Sequence, residues 1–400
     1  MYRLVGASFV SRVGTQITVV AAPLAALTML NATTFEVGLL GAAEFFPFLI
    51  FGLHAGALVD RHRRQLIMMT CDALRALIMG FLVIAAVTTD LRLWHLYLAL
   101  FGIGTLSVFF EVATQSHIPS LVAPNELARA TGAFVTGDAL AATSGPSFGG
   151  LLVHAVGAVA ALFVDGVTYL VSALILWRMD RSRETRAAAR QPGDSTASLI
   201  RAGLKYVTHH PHLRPIALCT ANASLFGTMA LSVMVTYLVR ELGFGAGRVG
   251  IILALGNVGI VIGATIGPRL LRTYAGGSVL CMSALAAGLC QLAVGLVPRS
   301  GATVSLTVAW ASAMMFITVL NLAQATYRQT VTAPEMRGRM NATVRMAISG
   351  TVPFGFIAGA LLGGAIGLKS TLVVAGAGAT LSFLWLVLSP VRGLQVRIAS

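Results

Sequence analysis

The stretch Gly56–Ala57–Leu58–Val59–Asp60–Arg61–His62–Arg63–Arg64–Gln65 decides how this chain is read. It sets one acid, three arginines and a histidine in a short connection between two long apolar runs, 35–58 and 66–88. Charge at that density does not enter hydrocarbon, so the connection marks a membrane surface. Its excess of arginine places that surface in the cytoplasm, where Lys and Arg accumulate. Each flanking run exceeds the roughly 20 residues that a helix needs to cross a bilayer.

Composition extends this reading to the whole chain. The 400 residues are 56% hydrophobic and only 10% charged, with a mean hydropathy of +0.84. Soluble domains carry about 25% charged residues. The chain is therefore read as an all-α integral membrane protein, because apolar runs of this length exclude the short alternating strands of a barrel. Twelve spans follow: 4–30, 35–58, 66–88, 93–117, 127–153, 158–178, 214–240, 247–270, 275–297, 302–327, 337–365 and 370–390. The first is too long for a signal-peptide core and has no cleavage site of small residues after it, so it is read as a retained helix. An even number puts both termini on one side, and Arg3, Arg392 and Arg397 make that side cytoplasmic.

The net charge of +14 would suggest nucleic acid in a soluble protein. Here most Lys and Arg fall in or beside the cytoplasmic segments, which is a topology signal and implies no nucleic-acid partner. Cys71, Cys219, Cys281 and Cys290 lie in apolar runs and form no disulfide framework. The only lysines are Lys205 and Lys369 against many arginines, with abundant Ala and Gly. That usage fits a bacterial genome rich in G and C, hence a multi-pass protein of a bacterial cytoplasmic membrane.

Three segments emerge: an N-terminal six-helix half (1–178), a cytoplasmic linker (179–213) and a C-terminal six-helix half (214–400). The linker begins with Arg181, Arg183, Arg186 and Arg190 and ends in an amphipathic stretch, 198–209, suited to lie on the membrane surface as a tether. Its His209, His210 and His212 lack a cysteine or acidic partner at helical spacing, so no metal site is read. The halves echo one another. Ala123–Pro124, Arg129, Gly145 and Gly149 recur 210 residues later as Ala333–Pro334, Arg339, Gly355 and Gly359, and Glu111 aligns with Asn321. Two parallel six-helix repeats follow.

The opening stretch resembles the signature loop G-x-x-x-D-R-x-G-R-K/R of the major facilitator superfamily at Gly56, Asp60, Arg61 and Arg64, and departs from it at Arg63 and Gln65. In the fifth span, Gly137 and Gly145–Pro146–Ser147–Phe148–Gly149–Gly150 resemble the antiporter motif of that family's exporters. The segment Phe109–Val122 with Leu127–Ala130, Asp72 with Arg75, and Asp165–Tyr169 are similar to the siderophore-exporter and macrolide-efflux branch. The resemblance implies a gate in the signature loop and a bend at Pro146. It also implies a secondary exporter, driven by a proton gradient, for a hydrophobic or amphipathic small molecule such as a drug, macrolide or siderophore. The protein would be a monomer and no enzyme. An importer on the same fold and a non-transporting scaffold or sensor are the rival readings.

Charges inside hydrocarbon cost at least a few kcal/mol unless paired or wet. Asp72 and Arg75 stand three apart and pair on one helix face. Glu44, Asp138 and Asp165 are candidate proton carriers, and so is Glu111 with Arg12. At 1.5 Å per residue these two lie at about the same depth, roughly 10–12 Å. In the resembling fold the first, fourth, seventh and tenth spans line a central cavity. The substrate candidates there are Gln16, Phe110, Gln115, Asn222, Phe226, Tyr237, Asn321 and Gln324, a phenyl-rich set with few polar groups. No G-x-x-x-x-G-K-S/T loop is present, so neither ATP nor another cofactor is implied.

Overall fold

A backbone crossing hydrocarbon must pair its own polar groups, and a helix does so within one segment. The computed structural model describes residues 2–88, 91–121, 134, 137, 140–141, 145, 148–179, 196–298, 301–333 and 336–393; among these there is no strand. The first set of helices is α1 (Tyr2–Met29), α2 (Thr34–Arg61), α3 (Arg64–Thr88), α4 (Leu93–Leu121) and α5 (Ala158–Trp177). The second is α6 (Thr196–His209), α7 (Leu213–Thr236) with a π-helical turn at Tyr237–Glu241, α8 (Ala246–Thr273), α9 (Gly276–Leu296), α10 (Ala302–Val331), α11 (Arg337–Ala365), α12 (Leu368–Leu381) and α13 (Leu384–Val387). Among the described residues, 11 helical stretches are long and apolar enough to cross a membrane. Most of the expected fifth span, including Asp138 and Pro146, lies outside the described residues, although 148–156 is helical.

Local chemistry sets the boundaries. Thr33 and Glu36 form a capping box at the start of α2: Glu36 N–H donates to Thr33 Oγ1 at 3.3 Å, and Thr33 N–H donates to Glu36 Oε2 at 2.7 Å. Gly157 (φ 87°) opens α5, and Gly367 (φ 90°) opens α12. Both need a backbone conformation closed to most L-residues, and they too stand 210 residues apart.

The chain divides into two packing units, Met1–Pro192 with Phe244–Ala254, and Gly193–Gly243 with Leu255–Ser400. In the first, α1 packs along α5, α2 along α4, and α3 against both α4 and α5. Leu4, Val59, Met68, Phe110 and Leu176 meet in its core. In the second, α7 packs against α11 and α12, and α9 against α10 and α12. Ile216, Leu280, Val319, Tyr327 and Leu386 meet in that core. α3 shows the inversion expected in lipid: it buries Asp72 and Arg75 while Leu77, Phe81, Ile84 and Val87 are exposed.

Glycines let the helices touch, since lipid leaves no hydrophobic drive between them and close packing must serve. A Cβ on Gly104 of α4 would strike the Glu44 carbonyl of α2. A Cβ on Gly145 would strike Gln16 of α1, and one on Gly149 would lie 3.0 Å from Ile17 Cα. In the second unit, Gly355 and Gly359 of α11 press in the same way on Thr228 and on the Met229 carbonyl of α7. The glycines repeated in the sequence thus do one job twice. Gly150 meets the backbone of Gly250 inside the first unit.

Candidate functional site

The first unit contains a row of polar groups on neighbouring helix turns. At one end, Arg12 of α1 reaches Glu111 of α4, with Nη1 3.7 Å from Oε1 and side chains 35% and 22% exposed. One residue back on each helix, Ser11 and Phe110 turn inward to α3. Ser11 Oγ donates to Asp72 Oδ1 at 3.3 Å. Arg75 Nη1 donates to the same oxygen at 2.8 Å, in a pair that is 3% and 0% exposed. The Arg75 guanidinium also lies over the rings of Phe110, at 4.8 Å, and Tyr169, at 5.3 Å. The cation therefore has a carboxylate and two π faces around it.

Tyr169 carries the row onward. Its hydroxyl is 3.0 Å from Thr15 Oγ1. Four residues earlier on α5, Asp165 accepts a short hydrogen bond from Thr18 of α1 and another from Thr168 at 3.3 Å. Asp165 is fully buried, and Gly14 makes room for it: a Cβ there would strike Asp165 Oδ1 and Thr168 Oγ1. Glu44 is half-buried on α2, where its carbonyl lies against Gly104 of α4. Sequence spacing anticipates the Asp72–Arg75 pair. It carries no signal for the partners Ser11, Thr15 and Thr18, which are recognisable only once α1 is laid against α5 and α3.

The signature turn is short. α2 runs through Arg61, His62 ends it in extended backbone, and α3 starts at Arg64. The side chains of Asp60 and Arg61 lie outside the described residues, Arg64 is half-buried, and Gly56 has open space around its Cα. Gln65, where the resembling family usually has a base, is buried and donates from Nε2 to the carbonyls of Leu176 (2.6 Å) and Met179 (3.2 Å). It adds a side-chain donor to the carbonyls at the end of α5, where Leu176 O also accepts from Met179 N–H at 3.1 Å. Arg3 does the same for the Arg178 carbonyl at 2.8 Å.

The substrate candidates scatter. Gln16 is half-buried, Gln115 and Asn321 are exposed, and Phe110 is buried beneath Arg75. Tyr237 is buried at the π turn. Gln324 is buried, and its Oε1 accepts from Thr220 at 2.6 Å. Asn222 Nδ2 donates to the Gly378 carbonyl at 3.1 Å, and the Phe226 ring occupies the place a Cβ on Gly378 would need. Asn222 and Phe226 therefore turn toward α12. Among the described residues, no group of three or more His, Cys, Asp or Glu could hold a metal ion.

An all-helical membrane chain built as two glycine-seamed helix units, one of them threaded by buried charge, has the architecture of a polytopic carrier. The Major Facilitator Superfamily model matches residues 4–333, and the chain belongs to that family of transporters. It is 26% identical over 275 residues to the uncharacterized MFS-type transporter YfiS of Bacillus subtilis (strain 168), covering 68% of this chain and 64% of YfiS. It is 35% identical over 104 residues to macrolide efflux protein A of Enterococcus faecalis, covering 26% of this chain and 31% of that protein. The matches thus span less than two thirds of these relatives' own length. The fold matches the crystal structure of a bacterial homolog of the human lysosomal transporter Spinster, with a TM-score of 0.74 at 16% identity, over 97% of this chain and 95% of that one.

Proposed function

We propose that this protein is a secondary exporter of an amphipathic small molecule in a bacterial cytoplasmic membrane, coupled to protons through Glu111 and Arg12. The half-exposed Arg12–Glu111 pair, at one end of the polar row, carries the reading. A charge stranded in hydrocarbon is costly, and losing a partner strands it. If Arg12 withdraws as the transporter changes state, a proton becomes Glu111's alternative partner. Return of Arg12 then expels that proton. Asp165 and Glu44 provide further carboxylates in the same unit, and Gln16, Gln115 and Asn321 are assigned to substrate as candidates. The partial likeness to macrolide efflux protein A supports export and an amphipathic cargo. The gate is assigned to Gly56, Asp60, Arg61 and Arg64, the linker to 179–213, and both termini to the cytoplasm; the carrier works as a monomer.

The test is transport into proteoliposomes under an imposed pH gradient, with macrolides and siderophores as cargo. Wild type should accumulate its cargo uphill. Glu111→Gln, which keeps shape but cannot titrate, should lose uphill movement while still binding cargo. Uphill accumulation by that variant would remove Glu111 as the proton carrier. A wild type that moves no cargo would favour a scaffold or sensor.

A further inference from the structure

The second unit carries a feature that the transport reading does not use. Where α6 meets α7, a cavity of about 870 Å³ opens between these helices and the α12–α13 end. The exposed His209 and Arg214 line it together with Leu218, Phe226, Leu381 and Trp385. A second cavity of about 530 Å³ lies between α6, α7 and α11, walled by Val207, Ala217, Ala221, Val344, Ala347 and Gly350. Thr208, Arg214, Leu218 and Trp385 border both. One cation thus divides two apolar hollows. Arg214 is exposed and makes no ion pair among the described residues.

The hollows face outward: Trp385 is 46% and Leu388 82% exposed at the rim of the larger one. From Arg214 to Phe226 α7 rises about 18 Å, at 1.5 Å per residue. That slightly exceeds one leaflet, about 15 Å, of a hydrocarbon core about 30 Å thick. The amphipathic α6 marks the surface end, because Val207 is buried against Leu213, Met340 and Val344 while Leu204 remains exposed. An occupant must present one anionic head to a guanidinium and two hydrocarbon chains to separate grooves. A guanidinium meets a phosphate with paired charge-assisted hydrogen bonds, and basic pockets between membrane helices suit acidic headgroups.

We propose that this forked site holds one anionic diacyl phospholipid, with its phosphate on Arg214 and one chain in each hollow, fastening α6 to the helix ends it covers. The inference rests on the chain being a membrane protein and not on what it transports.

The full-length protein should be released from detergent micelles in a native mass spectrometer after exposure to phosphatidylglycerol, phosphatidylcholine or lysophosphatidylglycerol. Wild type should retain one phosphatidylglycerol at least ten times more readily than phosphatidylcholine. Arg214→Gln should abolish that preference, and Arg214→Lys should keep part of it. Ala347→Phe, which fills the smaller hollow, should weaken retention of the diacyl lipid but not of the lyso form. Equal retention of both headgroups by wild type, or an unchanged preference in Arg214→Gln, overturns the proposal. Displacement of the lipid by a macrolide would also overturn it and give the groove to the cargo.

Discussion

The seam between α1 and α5 and the seam between α7 and α12 hold corresponding places in the two helix repeats, yet they are built in opposite ways. In the first, the glycine is on the opening helix: Gly14 admits Asp165 and Thr168 from α5, and Thr18 bonds the carboxylate. In the second, the glycine is on the closing helix: Gly378 admits the Phe226 ring from α7. One seam is closed by hydrogen bonds around a buried acid, the other by ring volume beside the amide bond from Asn222 to the Gly378 carbonyl. Close approach is therefore what the fold requires, and either chemistry supplies it. The charge in the first seam is additional, and it continues through Arg75 and Asp72 to the neighbourhood of Arg12 and Glu111. Beyond Asp194 the chain has only Glu241 and Glu335 as acids, so the second half has little with which to carry a proton.

The largest expected effect breaks the charged side of this comparison. Arg75→Leu leaves the wholly buried Asp72 carboxylate without its cation, at a cost of about 3–5 kcal/mol. Thermal unfolding in detergent should show it as a large loss of melting temperature. The double change Asp72→Leu with Arg75→Met should recover most of that loss, because an apolar pair of similar volume needs no compensation. Equal losses in single and double variants would mean that the pair is not what the site depends on.

A smaller effect separates volume from hydrogen bonding. Gly14→Ala and Gly378→Ala should each destabilise by about 1–3 kcal/mol through overpacking. Phe226→Leu should rescue Gly378→Ala, since the three atoms nearest the new methyl all belong to that ring. Thr168→Ala should not rescue Gly14→Ala, since Asp165 Oδ1 also lies in the path of the new methyl. Rescue in both seams, measured by the same unfolding curve, would erase the distinction between them.

The smallest effect concerns the surface junction of the second unit, outside the spans. Burial first, and then neighbouring His212, hold His210 below the ordinary histidine value of 6.5. The folded junction therefore binds fewer protons than the released segment between that lowered value and 6.5. Its contribution to stability is full above 6.5 and is lost as pH falls through the lowered value. Hydrogen exchange at 204–212 should rise modestly on acidification, and His210→Gln should flatten the response. A pH-independent exchange rate in wild type would remove the histidine from the junction's energetics.

Several features of this structure are legible in the residues alone. The apolar lengths specify membrane helices, because no other open-chain structure satisfies its own backbone in lipid. The recurrence of Gly145 and Gly149 as Gly355 and Gly359 is a packing signal: only a residue without a side chain permits those approaches, so the spacing survives repetition. Helix rise sets Arg12 and Glu111 at one depth, and an interval of three sets Asp72 beside Arg75. These are consequences of position along one helix or of a repeated local need.

What faces what across helices had to come from the tertiary structure. A hydroxyl in a membrane helix can bond its own backbone four residues back, as Thr105, Ser107 and Thr318 do. Nothing in the local sequence marks Thr18 as the partner of Asp165, or Thr15 as the partner of Tyr169. Asn222 and Phe226 read as cavity residues on a helix number, and only the azimuth of α7 shows that they meet Gly378 and line the hollow beside α12. Gln65 reads as a lost base and is an amide clamp on the end of α5. The residues alone sufficed for the all-helical membrane class and the repeat, because these depend on transfer to lipid and on local spacing. Only the tertiary structure decided the partners and the cavities, because they depend on the rotation of each helix about its axis, which a nearly uniform apolar surface leaves unmarked.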